Sequence, residues 1–366
     1  MDIRVNLRQL WLQLIAPLDP VLLLLSFLLL AYALLVVSSA SFDRLGAQLL
    51  NMCVALAVMR VAAGVSPQRL LRFALPIFAV GVVLLLAVAL FGDISKGARR
   101  WLNLGFMRIQ PSEIMKIAMP LMLAWFFQRH ATHLRLREYA VAALILLIPV
   151  YLIARQPDLG TSILVLAAGF YVIFLAGLPW KIIIGLVAAG AAAAPFAWAH
   201  LHDYQRNRIM TLFDPEADPL GKGFHIIQST IAIGSGGIIG KGWGQGTQAQ
   251  LEFIPERHTD FIFAVLSEEF GLIGNTLLLV LYMLLIGRCM MIAANAPTLF
   301  TRLLAGSITM IFFTYAFVNM GMVSGILPVV GVPLPFVSYG GTSLVTLFLG
   351  VGILMSIHRH RMLLQK

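Results

Sequence analysis

The sequence is dominated by apolar segments about as long as a membrane-spanning helix. A hydrocarbon core about 30 Å thick needs roughly 20 helical residues, and the first such segment extends from Pro20 to Ala40. Of all residues, 60% are hydrophobic and only 11% are charged, whereas soluble domains are about half apolar and about a quarter charged. These proportions exclude an ordinary globular protein and a disordered one, and they predict an integral membrane protein with many spans.

The predicted fold class is an all-α polytopic membrane protein with about ten transmembrane helices. We expect residues 1–366 to form a single membrane domain with one large extracytoplasmic loop at about 200–259. No small-residue cleavage site follows the first apolar segment cleanly, so we expect a retained helix and not a removed signal peptide. The predicted spans are 20–40, 46–64, 70–91, 110–128, 138–154, 159–178, 181–199, 264–287, 300–324 and 340–357.

The net charge of +10 predicts the orientation. Ten spans place both termini on one side, which then holds fourteen lysines and arginines against eleven on the other side. Five of those eleven lie in the long loop, where charge has little influence on orientation, so both termini are predicted to be cytoplasmic. A nucleic-acid partner is disfavoured because the basic residues form no contiguous block.

A cluster of cations remains on the side where this orientation disfavours positive charge. The loop after the third span carries Lys96, Arg99, Arg100 and Arg108 against the single acid Asp93. Such a cluster favours an anionic ligand outside the cytoplasm. The alternative is a solvated loop whose arginines extend toward the membrane surface.

Two ionisable residues lie at the start of the fourth predicted span. Glu113 and Lys116 are three residues apart, so they share a helix face and can pair. Ionisable groups at membrane depth usually face a cavity or a partner. The pair either joins helices structurally or places Lys116 beside a ligand anion, with Glu113 fixing its position.

Two aspartates are found where a predicted span begins. Asp158 is expected to cap the sixth span, which leaves Arg155 and Gln156 as candidate ligand contacts. Asp260 is either an N-cap of the eighth span or a general base, because a carboxylate in a partly desolvated cleft can be tuned for proton transfer.

Seven glycines lie between positions 234 and 246. The sequence around Lys241 is not a P-loop, because Ser235 replaces the first glycine and Gly242 replaces the Mg²⁺-binding Ser/Thr. The glycines either let the backbone approach the membrane surface or a phosphate closely, or form a flexible re-entrant turn.

Glu268 and Glu269 follow Asp260 at a distance of about two helical turns. They could line the same cavity as Asp260, or pair with Arg257 or Lys116. Two prolines and a glycine pair between 331 and 343 also predict irregular backbone between the last two spans, which is tolerated where it lines a polar cavity.

Taken together, these motifs resemble the SEDS family (shape, elongation, division and sporulation) of bacterial cell-wall polymerases. The likeness covers essentially the whole chain, and the sequences of residues 94–101 and 251–258 are most similar to the elongation branch of the family. The stretches that carry the resemblance are 110–116, 156–162, 214–219, 234–246, 258–263 and 319–343.

The resemblance implies a peptidoglycan glycosyltransferase of the bacterial cytoplasmic membrane that polymerises lipid II during cell elongation. It also implies a class B penicillin-binding transpeptidase and other elongation-complex proteins as partners. Asp260 corresponds to the family's essential acid, which would deprotonate the acceptor sugar hydroxyl.

A pyrophosphate leaving group requires cations at its oxygens, and the predicted substrate-binding residues follow from this requirement. Glu113 and Lys116 are favoured among them. A loosely held Mg²⁺ or Mn²⁺ near Asp260 and the pyrophosphate is more plausible than a zinc site, because no three ligands share one helical face. The full set is Glu113, Lys116, Arg99, Arg100, Arg206, Arg208 and Ser338.

Two alternatives remain from other classes of protein: a flippase that moves lipid II across the membrane, and a non-catalytic scaffold for the transpeptidase. A flippase would require polar residues through the whole depth of the bilayer, but here they concentrate on one face. A scaffold gives Asp260 no role. The enzyme is therefore favoured.

Overall fold

The structure is a computed structural model, and it describes most of the chain. The described residues are 18–95, 98–103, 108–131, 134–201, 203–215, 222–251, 253–254 and 256–364.

The described residues are mainly helical, as their apolar composition predicts. A 3₁₀ turn, Phe42–Arg44, joins the first two helices. The α-helices are α1 (Pro20–Ala40), α2 (Leu45–Gly64), α3 (Pro67–Phe91), α4 (Pro111–Arg129), α5 (Leu136–Arg155), α6 (Leu159–Leu175), α7 (Trp180–His200), α8 (Asp203–Phe213), α9 (Lys222–Gly236), α10 (Thr247–Gln250), α11 (Ile262–Ala294), α12 (Leu299–Val323) and α13 (Gly341–Leu364).

A helix occupies each of the ten predicted spans, and the polytopic helical fold is confirmed. Within the described residues, seven segments are long and apolar enough to cross a membrane by length and composition alone, and two shorter apolar helices lie at 159–175 and 180–196. The remaining span, α4, carries three charged residues. It is buried along most of its length, so Glu113 and Lys116 meet protein and not lipid, whereas Arg129 is exposed at the end of the helix.

The loop after α3 departs from the all-α prediction. Its described residues form a small antiparallel sheet of β1 (Asp93–Ser95), β2 (Ala98–Asn103) and β3 (Arg108–Ile109), in the order β1-β2-β3. Asp93 pairs with Trp101, and Leu102 pairs with Ile109. The long loop at 200–259 likewise contains α8, α9 and α10, so both connections are more ordered than predicted.

Small residues bring the helices of the bundle close together. A Cβ at Gly352 of α13 would lie 2.4 Å from the Met59 carbonyl oxygen of α2, and one at Gly350 would lie 3.0 Å from Ile308 of α12. Such close approach lets backbones pack without a hydrophobic driving force from water, as is typical of membrane helices. The three helices α2, α12 and α13 thereby form one packed unit.

Asp19 joins three helices at the end of the bundle where α1 begins. Its Oδ1 accepts a hydrogen bond from the Leu22 amide at 2.8 Å, and its Oδ2 lies 2.5 Å from Arg288 Nη2 of α11 and 3.4 Å from His358 Nε2 of α13. Burial alone would raise the pKa of the Asp19 carboxyl, but the Arg288 hydrogen bond and charge outweigh it and hold that pKa below its ordinary value.

Asp19→Asn is expected to lower the free energy of unfolding by about 1.5–3 kcal/mol at neutral pH, because it removes a charge-assisted bond but keeps a good N-cap. Since the folded-state pKa lies below the unfolded one, this contribution is present above roughly pH 4 and is lost as the pH falls through the folded value. Unfolding in detergent at several pH values measures the difference. The exposed control Asp43→Asn should change little; an equal loss for both variants would contradict the assignment.

Candidate active site at Asp260

Asp260 lies on the turn that precedes α11, and its side chain is partly buried. The residue at the N-cap position of α11 is Phe261, which makes no side-chain capping bond. The N-cap interpretation of Asp260 is therefore wrong. The Phe261 amide donates to the Glu256 carbonyl at 3.2 Å, so the chain closes a turn before the helix starts.

The backbone of Asp260 is held by a side chain from another helix. Asn319 of α12 is fully buried, and its Nδ2 donates to the Asp260 carbonyl at 2.8 Å and to the Val332 carbonyl at 2.7 Å. Gly331 has a φ of +74°, and a Cβ added to it would lie 3.4 Å from Asp260 Oδ2. One amide group thus fixes the Asp260 turn against the segment between α12 and α13, and glycine at position 331 places no side chain on that side of the carboxylate.

Ser338 secures the same junction. Its hydroxyl donates to the Thr259 carbonyl at 2.6 Å and accepts from the Leu334 amide at 2.7 Å. The segment 324–340 is irregular, as predicted, and these bonds satisfy part of its backbone. Because both contacts are to backbone, the visible role of Ser338 is to position the residue before Asp260.

Two polar residues from the start of the chain extend this junction. The Arg44 guanidinium lies 5.3 Å from the centre of the Tyr339 ring, and the Tyr339 amide donates to the His258 carbonyl at 2.9 Å. Gln48 Nε2 donates to the Ser338 carbonyl at 3.4 Å. The sequence reasoning did not single out Arg44 or Gln48, although polar residues between two spans on the Asp260 side were the available signal.

Lys116 and Glu113 form the predicted ion pair. Lys116 Nζ lies 2.6 Å from Glu113 Oε1, it also donates to the Tyr315 hydroxyl, and all three side chains are buried. Tyr315 lies one helical turn before Asn319, so α12 connects the pair to the Asp260 turn. Glu113 Oε2 is buried without a hydrogen-bond partner among the described residues. The contacts of the pair therefore join α4 to α12, and Glu113 Oε2 remains able to accept a hydrogen bond.

The start of α6 forms another wall of this region. Asp158 Oδ1 accepts from the Thr161 amide at 3.3 Å, which confirms the predicted N-cap, and Oδ2 accepts from Gln110 Nε2 at 3.0 Å. A Cβ at Gly160 would lie 2.6 Å from the Val330 carbonyl oxygen. The starts of α4 and α6 are thus joined to the segment that contacts Asp260.

One arginine of the small sheet makes a hydrogen bond to a backbone carbonyl, whereas another is exposed to solvent. Arg100 of β2 donates to the Pro157 carbonyl, next to Asp158, whereas Arg99 is exposed. Lys96 lies outside the described residues. The candidate contact Gln156 instead donates to the Leu85 carbonyl at 3.0 Å. Arg100 is therefore the cation that the described structure places beside this wall.

The two arginines predicted from the long loop belong to α8. Arg206 Nη2 donates to the Trp198 carbonyl at 3.1 Å, and its guanidinium lies 5.8 Å from the Trp198 ring centre, at the end of α7. The side chain of Arg208 lies outside the described residues. The contacts described for Arg206 are with Trp198, so its place in the site stays a prediction.

The glycine-rich run packs against the backbone of α11. The Lys241 and Gly242 amides donate to the Glu268 and Glu269 carbonyls, each at 3.0 Å. A Cβ at Gly240 would lie 2.1 Å from the Glu269 carbonyl oxygen. One prediction was that this backbone approaches a membrane surface or a phosphate closely. At Gly240 it approaches α11 instead, and the run is not a freely flexible turn there.

Gly240→Ala is expected to lower the free energy of unfolding by about 2–5 kcal/mol, from the positive φ and the backbone overlap together. The matched control is Gly244→Ala, because Gly244 also has positive φ but has no atom within 4 Å of its missing Cβ. It should cost only about 1–2 kcal/mol. Thermal unfolding in detergent compares the two, and equal losses would show that the close packing contributes nothing.

Glu268 is anchored by the same run and not by the residues predicted for it. Its Oε1 lies 2.6 Å from Lys241 Nζ and accepts from the Gln248 amide at 3.1 Å, and its side chain is fully buried. Glu269 accepts from the Ser39 hydroxyl. The partners described for these acids are therefore Lys241 of the glycine run and Ser39 of α1, and the suggested pairing with Arg257 or Lys116 stays a prediction.

Within the described part of the chain, no group of three or more His, Cys, Asp or Glu side chains lies close enough together to hold a metal ion. A divalent cation at Asp260 would therefore take its other ligands from water or from substrate phosphate.

Known proteins resemble this chain over almost its whole length. The model of the cell cycle protein family FTSW_RODA_SPOVE matches residues 14–363. The chain is 54% identical over 353 residues to the peptidoglycan glycosyltransferase MrdB of Escherichia coli K12, covering 95% of each chain. A solved structure described as coordinating polymerization and crosslinking in a peptidoglycan synthase complex matches with a TM-score of 0.82 and 36% identity, covering 94% of this chain and 98% of that one. The rod shape determining protein RodA of Thermus thermophilus matches with a TM-score of 0.72 and 30% identity, covering 94% and 97%.

Proposed function

Since this chain belongs to the cell cycle protein family FTSW_RODA_SPOVE, we propose that it polymerises lipid II with Asp260 as the general base. It is a peptidoglycan glycosyltransferase, the activity for which its MrdB and RodA relatives are named. The observation that supports the role of Asp260 is its placement. Asp260 lies one residue before the N-cap position of α11, and Asn319 donates to its backbone carbonyl.

In the proposed reaction, Asp260 takes the proton from a sugar hydroxyl of the acceptor lipid II as that oxygen attacks the anomeric carbon of the growing glycan. A new glycosidic C–O bond forms, and the bond from the anomeric carbon to undecaprenyl pyrophosphate breaks. The pyrophosphate leaves with the electron pair. Asp260 then releases its proton to water and returns to the carboxylate form.

The leaving pyrophosphate requires positive charge, and Arg100 and Arg99 are the best-placed cations. The contact of Arg100 with the Pro157 carbonyl brings β2 to the wall that contains Asp158. Charge-assisted bonds from guanidinium groups to phosphate oxygens are short and strong. We assign Arg206 and Arg208 to an outer part of the substrate path, since Arg206 packs at the end of α7.

Two buried oxygens offer bonds to the substrate. Glu113 Oε2 and Asn319 Oδ1 are both buried without a hydrogen-bond partner among the described residues. An unsatisfied buried acceptor is costly, so such atoms mark places where a hydroxyl or amide of a ligand can donate. This supports a role for the Glu113–Lys116 pair in binding substrate as well as in joining α4 to α12.

The proposed orientation places both termini in the cytoplasm, with residues 1–366 forming one domain and the loop 200–259 outside. The chemistry then occurs on the extracytoplasmic face, where nascent peptidoglycan is located. The proposed partner is a class B penicillin-binding transpeptidase. The matching structure of a complex that couples polymerization to crosslinking supports this pairing.

The purified chain should convert lipid II in detergent into glycan polymer, visible as a ladder on a gel, with the transpeptidase increasing the yield. Failure to form polymer with and without the partner would contradict the proposal. A separate experiment follows labelled lipid II in liposomes that contain the protein. Movement of the label across the membrane without polymer formation would indicate that the protein is a flippase.

A further inference from the structure

A pocket of about 100 Å³ lies where the ends of α3, α4, α12 and α13 meet. Its polar lining includes Gln68, Gln128, Thr301 and His360, and Leu71 and Ile357 supply apolar wall. Thr301 and Asn319 lie 18 residues apart on α12, which corresponds to roughly 27 Å along a helix. The pocket is therefore at the opposite end of the bundle from Asp260 and separate from the proposed active site.

An arginine directly follows each of the four polar lining residues. These arginines come from four different helices and are Arg69, Arg129, Arg302 and Arg361. None of them takes part in a salt bridge within the described residues. The arginines do not line the pocket themselves, but four positive charges on the residues next to its lining produce a potential that attracts an anion.

The position and lining of the pocket indicate which anion it takes. The guanidinium fork matches phosphate oxygens, and basic pockets between membrane helices bind anionic lipid headgroups. Helix ends lie at the level of the headgroups, and the wall formed by Leu71 and Ile357 suits the adjoining glycerol and acyl carbons. We propose that this pocket binds the phosphate headgroup of an anionic phospholipid.

The bound headgroup has a structural consequence. Two of the helices that surround it, α4 and α12, also carry Lys116 and Tyr315, which are in contact in the other half of the bundle. The lipid would therefore hold together the two helices on which the buried ion pair depends.

Native mass spectrometry of the full-length protein in detergent, titrated with phosphatidylglycerol and with phosphatidylcholine, tests the proposal. Arg302→Gln/Arg361→Gln should weaken phosphatidylglycerol binding roughly 25-fold. The control is Arg137→Gln/Lys181→Gln, which removes two cations at the same end that do not flank the pocket. It should stay within about twofold of wild type. Equal weakening in both double variants would show only general surface charge and overturn the proposal.

Gln68→Trp is a variant that leaves the charge unchanged. Gln68 is exposed in the first turn of α3, so the larger ring should fill the pocket without disturbing the fold. We expect it to abolish the preference for phosphatidylglycerol while the lipid-free unfolding temperature is kept. Wild-type preference in this variant would overturn the proposal. Displacement of the lipid by inorganic phosphate would likewise overturn the lipid assignment and indicate a soluble phosphate as the ligand.

Discussion

Asp260→Asn is expected to lower the rate of lipid II polymerisation by about 10²–10⁴-fold, the usual contribution of a positioned general base. The amide cannot take the proton of the acceptor hydroxyl. The fold should be kept, because Asn319 bonds to the backbone carbonyl of residue 260 and not to the carboxylate. The measurement is the initial rate of polymer formation by purified wild type and variant, with saturating lipid II.

The matched control for this substitution is Asp158→Asn. Asp158 is a buried aspartate in the same region, but its oxygens are occupied by the Thr161 amide and by Gln110. It should lose stability and retain most of the polymerisation rate per folded molecule. A normal rate in Asp260→Asn, with the same unfolding temperature as wild type, would remove Asp260 from the mechanism.

The second large effect concerns Lys116 and Glu113. Glu113→Gln leaves the buried Lys116 ammonium with only the Tyr315 hydroxyl, and Lys116→Met leaves the buried carboxylate alone. Each single change should cost about 3–5 kcal/mol of stability, because it leaves an uncompensated buried charge. The double variant contains neither charge, so most of the lost stability should return.

The polymerisation rate of this double variant separates the two interpretations of the pair. If Glu113 and Lys116 only join helices, the rate should recover together with the stability. We expect it to stay about 10²–10³-fold below wild type, because the charge near the substrate is gone. Asp19→Asn/Arg288→Met is the control: it removes an ion pair at the opposite end of the bundle and should leave the rate unchanged. Recovery of the rate in Glu113→Gln/Lys116→Met would make the pair structural only.

The ten membrane helices could be predicted from the sequence because apolar length is a strong and local signal. The sheet β1–β3 and the helices α8–α10 could not. The strands, α8 and α10 are short, and α9, with 15 residues, falls below the length of a membrane span, so the apolar-length criterion does not detect them. The charges of α4 appeared exceptional for a span, and burial within the bundle accounts for them.

The site was predictable only where a local pattern existed. Asp158 follows the capping rule, but Asp260 does not, because it lies within the turn closed by the bond from the Phe261 amide to the Glu256 carbonyl, and Phe261 takes the N-cap position. The hydrogen bonds from Asn319 to Asp260 and Val332 connect residues that are far apart in the sequence. Local secondary-structure propensities do not predict such contacts. The partner of Glu268 was missed for the same reason, since Lys241 reaches it through the packing of the glycine run.

The absence of a side chain at Gly331, beside the proposed general base Asp260, has a consequence for inhibition. A small cationic group placed there would lie within contact distance of the Asp260 carboxylate. A bacterium would ordinarily escape such a compound by introducing a side chain at the contact point. Here the φ of +74° makes any replacement of Gly331 strained, and the new atoms would meet the carboxylate itself. Resistance at this position would therefore reduce the fitness of the cell that acquires it.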